Sequence, residues 1–148
     1  PGFLDKQQLR VVLDSELKIS PTSKLLQTSK KYPLYLIAKE NVAKPELLVE
    51  GVKIINVKQK NDLIDLADLM AKLATAAVAS ILVEAGPRLN AGLIKAGLVD
   101  ELILMRSDKI IGAGDNAFMD MQVAEVVKDF QLIERRNFAN DEMIIYQK

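Results

Sequence analysis

The sequence contains no cysteine, no histidine and no tryptophan, and these absences exclude a good deal of chemistry. Without His or Cys there is no zinc finger, no zinc hydrolase with the usual ligand set, no thiol nucleophile and no Ser-His-Asp triad. Without Cys there is no disulfide scaffold, although the redox compartment stays open. Aromatic residues make up only 5% of the chain, too few for base-stacking platforms. The 20 basic residues are balanced by 20 acidic ones, so the charge gives no footprint for nucleic acid. No apolar run reaches the roughly 18 residues that a membrane-crossing helix requires, and nothing N-terminal reads as a signal peptide. A cytoplasmic domain is expected, with no metal, no nucleic acid and no membrane among its partners.

What is present is 148 residues, the natural length of one domain. A chain of this size buries roughly 68–70% of its unfolded surface, enough to hold a core without staples. Residue 1 is Pro rather than Met, so the natural chain need not start there.

Arg10–Asp14 is a short β-branched run that ends in Asp-Ser, predicting a strand and a turn. Residues 15–31 are polar and read as loop. Pro33–Ala38 and Val52–Val57 predict two further strands. From Leu63 the period changes: Leu63, Leu66, Ala67, Met70, Leu73 and Ala74 share one face of an amphipathic helix, with Asp62 or Asp65 as its cap. Ser80–Glu84 is an apolar run suited to a strand covered on both faces. Arg88–Ala96 predicts a second helix, with Pro87 at its first position and Gly97 just past its end. Leu98–Arg106 predicts another strand, and residues 107–129 a mixed region with one short helix. Phe130–Phe138 and Glu142–Gln147 predict an antiparallel pair. The middle of the chain therefore reads β–α–β–α–β, which calls for a mostly parallel sheet with helical crossovers, and the hairpin makes the sheet mixed.

Two glycine turns compete as a ligand site. In the first, Glu84-Ala85-Gly86-Pro87-Arg88, an apolar strand ends and a helix begins at once. Ligands of open α/β sheets bind beyond the carboxyl ends of strands, and a helix N-terminus there suits a phosphate. Glu84 would accept hydrogen bonds at the pocket edge. The plainer account, a permissive glycine beside a solvated carboxylate, weighs about as much on chemistry alone. Arg88 opposes the helix dipole by roughly 0.3–1 kcal/mol, which an anion at the same place would offset, although an extended Arg in solvent is the plainer account. The second turn, Gly112-Ala113-Gly114-Asp115-Asn116-Ala117, matches the loose dinucleotide pattern. The βαβ context and the acidic residue expected about 20 positions on are missing, so a simple turn is the better account. Asp62, Asp65 and Asp68 are better explained by capping than by a metal.

The segment SILVEAGPRLNAGLIKAGLVDELILM, residues 80–105, resembles the reductase domain of the bifunctional riboflavin-biosynthesis deaminase/reductase, whose members carry VEGGP-x-L or VEAGP-x-L, a helix, and AGLVDEL. Arg10–Ser15 is similar to the family's R-V-V-L-D-S strand, and Lys109-Ile110-Ile111-Gly112 to a later K-[IL]-[IL]-G segment. The resemblance implies a dihydrofolate-reductase-like α/β fold and the NADPH-dependent reduction of 5-amino-6-(5-phosphoribosylamino)uracil, a pyrimidine ribosyl phosphate, to the ribitylamino product. It further implies that Glu84 contacts substrate. By the same resemblance Ser15, Gly86, Pro87, Arg88, Leu89, Asn90, Ala91 and Gly92 lie around NADPH. Arg88 stands where Thr is frequent in the family, and Ser107-Asp108 replaces an Ala-Pro-like pair.

The family's first strand and its Ala-Asp-Asp-Pro-x-Leu-Thr-x-Arg segment have no match in residues 1–9, and the deaminase zinc motif is absent. The expectation is thus that residues 1–148 are one domain, the C-terminal portion of a reductase domain in a longer chain. Its catalytic residues would lie upstream of Pro1, its assembly would be a homodimer, and it would bind cofactor poorly when alone. The alternatives are a non-catalytic binding or assembly module on the same fold, and another NAD(P)-dependent oxidoreductase using Gly112–Ala117.

Overall fold

The computed structural model describes residues 8–109 and 116–148. They fall into two compact units, Pro1–Ser80 and Ile81–Lys148, which are described separately. No helix among the described residues is long and apolar enough to cross a membrane.

The first unit is built on three strands, β1 (Arg10–Leu13), β2 (Leu34–Lys39) and β3 (Val52–Val57). They pair in parallel in the order β1-β2-β3. Alternation along β2 explains why it is central. Leu34, Leu36 and Ala38 point into one core with Leu17, Leu26 and Leu47, whereas Ile37 points into another with Ile55, Val57, Leu69 and Leu73. A strand covered on both faces needs an unbroken apolar sequence, and LYLIA provides one. The connections are loops that carry a short helix, α1 (Lys24–Gln27), and a 3-10 turn at Pro45–Leu47. The Arg10 guanidinium ties α1 to β1 by donating to Thr28 Oγ1 and to the Leu25 carbonyl. Gly51, with φ of 83°, lies so close to Ser29 that a Cβ would stand 2.1 Å from its carbonyl oxygen. Only glycine fits there.

A two-stranded hairpin follows, β4 (Gln59–Lys60) with β5 (Leu63–Ile64). Its corner residues Asn61 and Asp62 both have positive φ, the turn geometry that matches strand twist. The helix predicted from Leu63 therefore begins later: α2 spans Leu66–Thr75. Leu63 belongs to the hairpin, because the Asn-Asp corner fixes the backbone before helical spacing can act. Asp65, not Asp62, is the N-cap, and its Oδ1 receives the Ala67 and Asp68 amides at 2.9 and 3.2 Å.

The second unit contains α3 (Pro87–Lys95), β6 (Glu101–Arg106), α4 (Val123–Val127), β7 (Gln131–Phe138) and β8 (Asp141–Gln147). Pro87 is at the first helical position of α3. At the other end Gly97 N–H donates to Ile94 O and Leu98 N–H to Leu93 O, at 2.9 and 3.1 Å. With Gly97 at φ 69° this is a Schellman cap, as the Pro–Gly pattern predicts. The strands form an antiparallel sheet in the order β6-β8-β7, with a bulge between Leu132 and Glu134. Ala91, Phe118 and Val126 form the core, against which Leu102 and Leu104 pack.

One predicted strand is absent. Ser80–Glu84 belongs to no strand, and Leu82 is 79% exposed. Apolar composition gives the segment β propensity, yet a strand exists only where a neighbour completes its main-chain hydrogen bonds. None of the strands among the described residues pairs with it. The parallel ladder consequently lies earlier in the chain than the β–α–β–α–β reading places it. The α/β class and the C-terminal hairpin hold as expected.

Candidate functional site

The glycine turn before α3 is an open helix N-terminus. Gly86 is the N-cap, at φ −77° and ψ 169° with no side-chain cap. That conformation suits any residue, and among the described residues a Cβ at Gly86 would meet nothing within 4 Å. Neither backbone strain nor packing among the described residues therefore demands glycine here. A group approaching the backbone from outside would. Pro87 has no N–H, and the first bond of the helical ladder runs from Asn90 N–H to Gly86 O at 3.2 Å. The Arg88 and Leu89 amides precede it and point out of the helix start, where positive partial charge gathers. Arg88 is exposed and belongs to no ion pair among the described residues. A backbone without a Cβ, two amides and a guanidinium fit the phosphates of a nicotinamide dinucleotide.

The remaining predicted cofactor residues of α3 divide by position. The Asn90 side chain is turned back on the protein: its Nδ2 donates to Ala85 O and to Ala117 O, both at 3.2 Å. Met119 N–H adds a bond to Pro87 O at 3.1 Å, so the start of α3 is tied to residues 117–119. Ala91 is buried in the core with Phe118 and Val126. Gly92 is half-buried in mid-helix, its carbonyl receiving Ala96 N–H at 3.0 Å. The Asn90 tether spans 27 residues, and no local pattern in the sequence announces it.

Glu84 is exposed and makes no hydrogen bond or ion pair among the described residues. The strand predicted to end at Glu84 is missing, so no strand end positions its carboxylate. Ser15, in the other unit, is half-buried in the turn after β1. Its carbonyl receives Lys39 N–H at 3.1 Å. Most of the second glycine turn, and all of Ile110–Gly112, lie outside the described residues.

The carboxylates spaced by three near α2 have separate structural duties. Asp62 shapes the hairpin corner and Asp65 caps the helix. Asp68 Oδ2 receives Lys58 N–H at 2.9 Å and pairs with Lys72 Nζ at 2.9 Å. The Lys58 amide first, and Lys72 second, hold the Asp68 carboxyl below the usual aspartate value. Lys39 does the same for Glu16, by hydrogen bond and by charge. Glu101, which opens β6, receives Gln147 Nε2 at 2.7 Å and so ties two strands together.

Comparison with known proteins adds an independent finding. The family model of the RibD C-terminal domain matches residues 2–144. The riboflavin biosynthesis protein RibD of Aquifex aeolicus (strain VF5) is 25% identical over 146 residues, which cover 97% of this chain and 40% of that protein. The 5-amino-6-(5-phosphoribosylamino)uracil reductase of Buchnera aphidicola subsp. Acyrthosiphon pisum is 25% identical over 112 residues, 76% of this chain and 52% of that protein. In fold, the chain is similar to a diaminohydroxyphosphoribosylaminopyrimidine deaminase/5-amino-6-(5-phosphoribosylamino)uracil reductase from Thermotoga maritima. The TM-score is 0.70 at 18% identity, with 98% of this chain and 39% of that one covered. The chain thus spans at most about half the length of these relatives.

Proposed function

The chain belongs to the RibD C-terminal domain family, and from that membership we propose that it serves as the reductase part of a longer riboflavin-biosynthesis enzyme. The reaction is the NADPH-dependent reduction of 5-amino-6-(5-phosphoribosylamino)uracil, in which the ribosyl ring opens to a ribityl chain. NADPH supplies the hydride. The residues of this chain bind and orient. Gly86 would let the dinucleotide approach the backbone, the Arg88 and Leu89 amides would donate to phosphate oxygens, and the Arg88 guanidinium would offset their charge. Asn90 keeps the Ala85–Gly86 peptide in place through its two carbonyl bonds. Ser15 makes a further cofactor contact, and Glu84 accepts hydrogen bonds from substrate hydroxyls. The relative named for this reductase activity supports the substrate.

The observation that carries the reading is the open space at Gly86. Its test is the Gly86→Ala variant of the whole enzyme. The allowed backbone angles and the lack of a described neighbour at the Cβ predict that the fold is kept at a cost of about 1 kcal/mol, glycine being the better N-cap. NADPH affinity should fall about tenfold or more, because a methyl group would stand where the backbone meets the ligand. Wild-type affinity in the variant would reject the assignment.

We also propose that the reductase domain is completed by strands outside residues 1–148 and that the enzyme assembles as a homodimer. The unpaired run Ile81–Val83 supports the first, since an exposed apolar segment with strand propensity needs a partner. Met105, 66% exposed on the edge strand β6, leaves apolar surface that a neighbouring subunit would cover. On this reading residues 1–148 alone bind NADPH weakly and do not turn over.

A further inference from the structure

The turn after β1 is held from within by a single residue. Asp14 accepts from three consecutive amides: its carbonyl receives Leu17 N–H at 2.9 Å, Oδ1 receives Lys18 N–H at 2.8 Å, and Oδ2 receives Ile19 N–H at 2.7 Å. Its own N–H donates to Ile37 O of β2 at 2.9 Å. Bonds from backbone amides to a carboxylate are charge-assisted and about twice as strong as neutral ones. Leu17 has φ of 51°, a region leucine rarely adopts, and its side chain is fully buried against Leu26, Leu34 and Leu36. Lys39 closes the turn from β2, with its amide on Ser15 O at 3.1 Å and its ammonium on Glu16 at 2.7 Å.

These bonds consume the inward-facing capacity of the turn. What is left at its corner is the Ser15 N–H, the Glu16 N–H and the Ser15 hydroxyl, none of which has an acceptor among the described residues. We infer that Asp14 is a positioning residue: it fixes the Ser15–Glu16 corner as a preset group of donors for an oxygen of the nicotinamide dinucleotide. The inference rests on the proposed role of Ser15 in cofactor binding. A corner already ordered in the free protein loses no conformational freedom when the ligand arrives, and a loosened one must be ordered by the ligand.

The test uses the whole enzyme with Asp14→Ala, Asp14→Asn, which keeps one carboxamide oxygen, and Ser15→Ala. Three quantities are read: amide hydrogen exchange at residues 15–19 without ligand, dinucleotide affinity by fluorescence titration, and the KM of the pyrimidine substrate. Asp14→Ala should speed exchange at Lys18 and Ile19 and weaken the dinucleotide about tenfold, the loss of one or two hydrogen bonds. The KM of the pyrimidine substrate should hold, and Asp14→Asn should fall in between. Adding Ser15→Ala to Asp14→Ala should cost little more, since the donors are already misplaced. Should Asp14→Ala not fold, Asp14→Asn carries the same comparison. Faster exchange with unchanged affinity would overturn the inference and leave Asp14 a purely structural staple. A wild-type enzyme that binds no dinucleotide would overturn it together with the role of Ser15, and that failure is visible before any substitution is made.

Discussion

Leu34–Lys39 and Ser80–Glu84 are similar in sequence, both short apolar runs that end at a charged residue, and the fold treats them in opposite ways. The first is the central strand of the parallel sheet, paired on both sides and buried on both faces. The second is unpaired, with Ile81, Leu82 and Val83 all exposed. The turns they adjoin follow suit. In the first unit three carboxylates bond backbone amides: Asp14 holds a turn, Asp65 caps a helix, and Asp68 takes an amide and a lysine. In the second unit Glu84 holds nothing. Asp14, Asp65 and Asp68 are spent on amides of their own chain, whereas the Gly86 turn leaves the Glu84 carboxylate, two amides and the Arg88 guanidinium without a partner among the described residues.

The largest expected effect sharpens this contrast directly. Leu36→Ala should destabilise the chain by about 2–5 kcal/mol, as a buried leucine lost from a packed core does. Leu82→Ser in residues 1–148 should change stability by less than about 0.5 kcal/mol, as exposed substitutions do. Urea unfolding of the two variants measures both. Equal losses would mean that the 80–84 run is packed after all.

Next comes the idle carboxylate. Glu84→Gln in the whole enzyme should leave the unfolding midpoint within about 0.5 kcal/mol of wild type. It should weaken the pyrimidine substrate by about tenfold or more, since hydrogen bonds to a charged acceptor carry about 1.5–3 kcal/mol, and change NADPH affinity far less. Isothermal titration with each ligand separates the two, and wild-type affinity for both would reduce Glu84 to a surface residue.

The smallest effect tests the occupied carboxylates. Asp68 and Glu16 have folded pKa values held below their ordinary ones. Each therefore stabilises the fold at neutral pH, and the contribution is lost as pH falls from the ordinary carboxylate range, near 4, through the lowered folded value. Urea midpoints at pH 7 and pH 3 should differ less in Asp68→Asn than in wild type. An identical acid loss in both would show that the Asp68 contacts add nothing.

How much of this is legible in the sequence follows from the range of the interactions. The ends of α3 are written locally by Pro87 and Gly97, and β2 by an unbroken apolar run. Helical spacing alone places the start of α2 three residues early, at Leu63 instead of Leu66, because the Asn61-Asp62 corner overrides it. Ser80–Glu84 reads as a strand because propensity is local, whereas pairing depends on a partner elsewhere. In the candidate site, the glycine turn and Arg88 are readable from the sequence as a helix start that suits a phosphate. The Asp14 staple is half readable, since Asp-Ser after a strand announces a turn but not the three amides it gathers. The Asn90 tether to Ala117 is closed only by folding.

The central claim is that the start of α3 receives the cofactor, and a structure of the whole enzyme with NADPH tests it most directly. The account predicts phosphate oxygens within hydrogen-bond distance of the Arg88 and Leu89 amides, packed against the bare Cα of Gly86. Phosphates held instead by Gly112–Ala117, with the Gly86 turn facing only water, would contradict it.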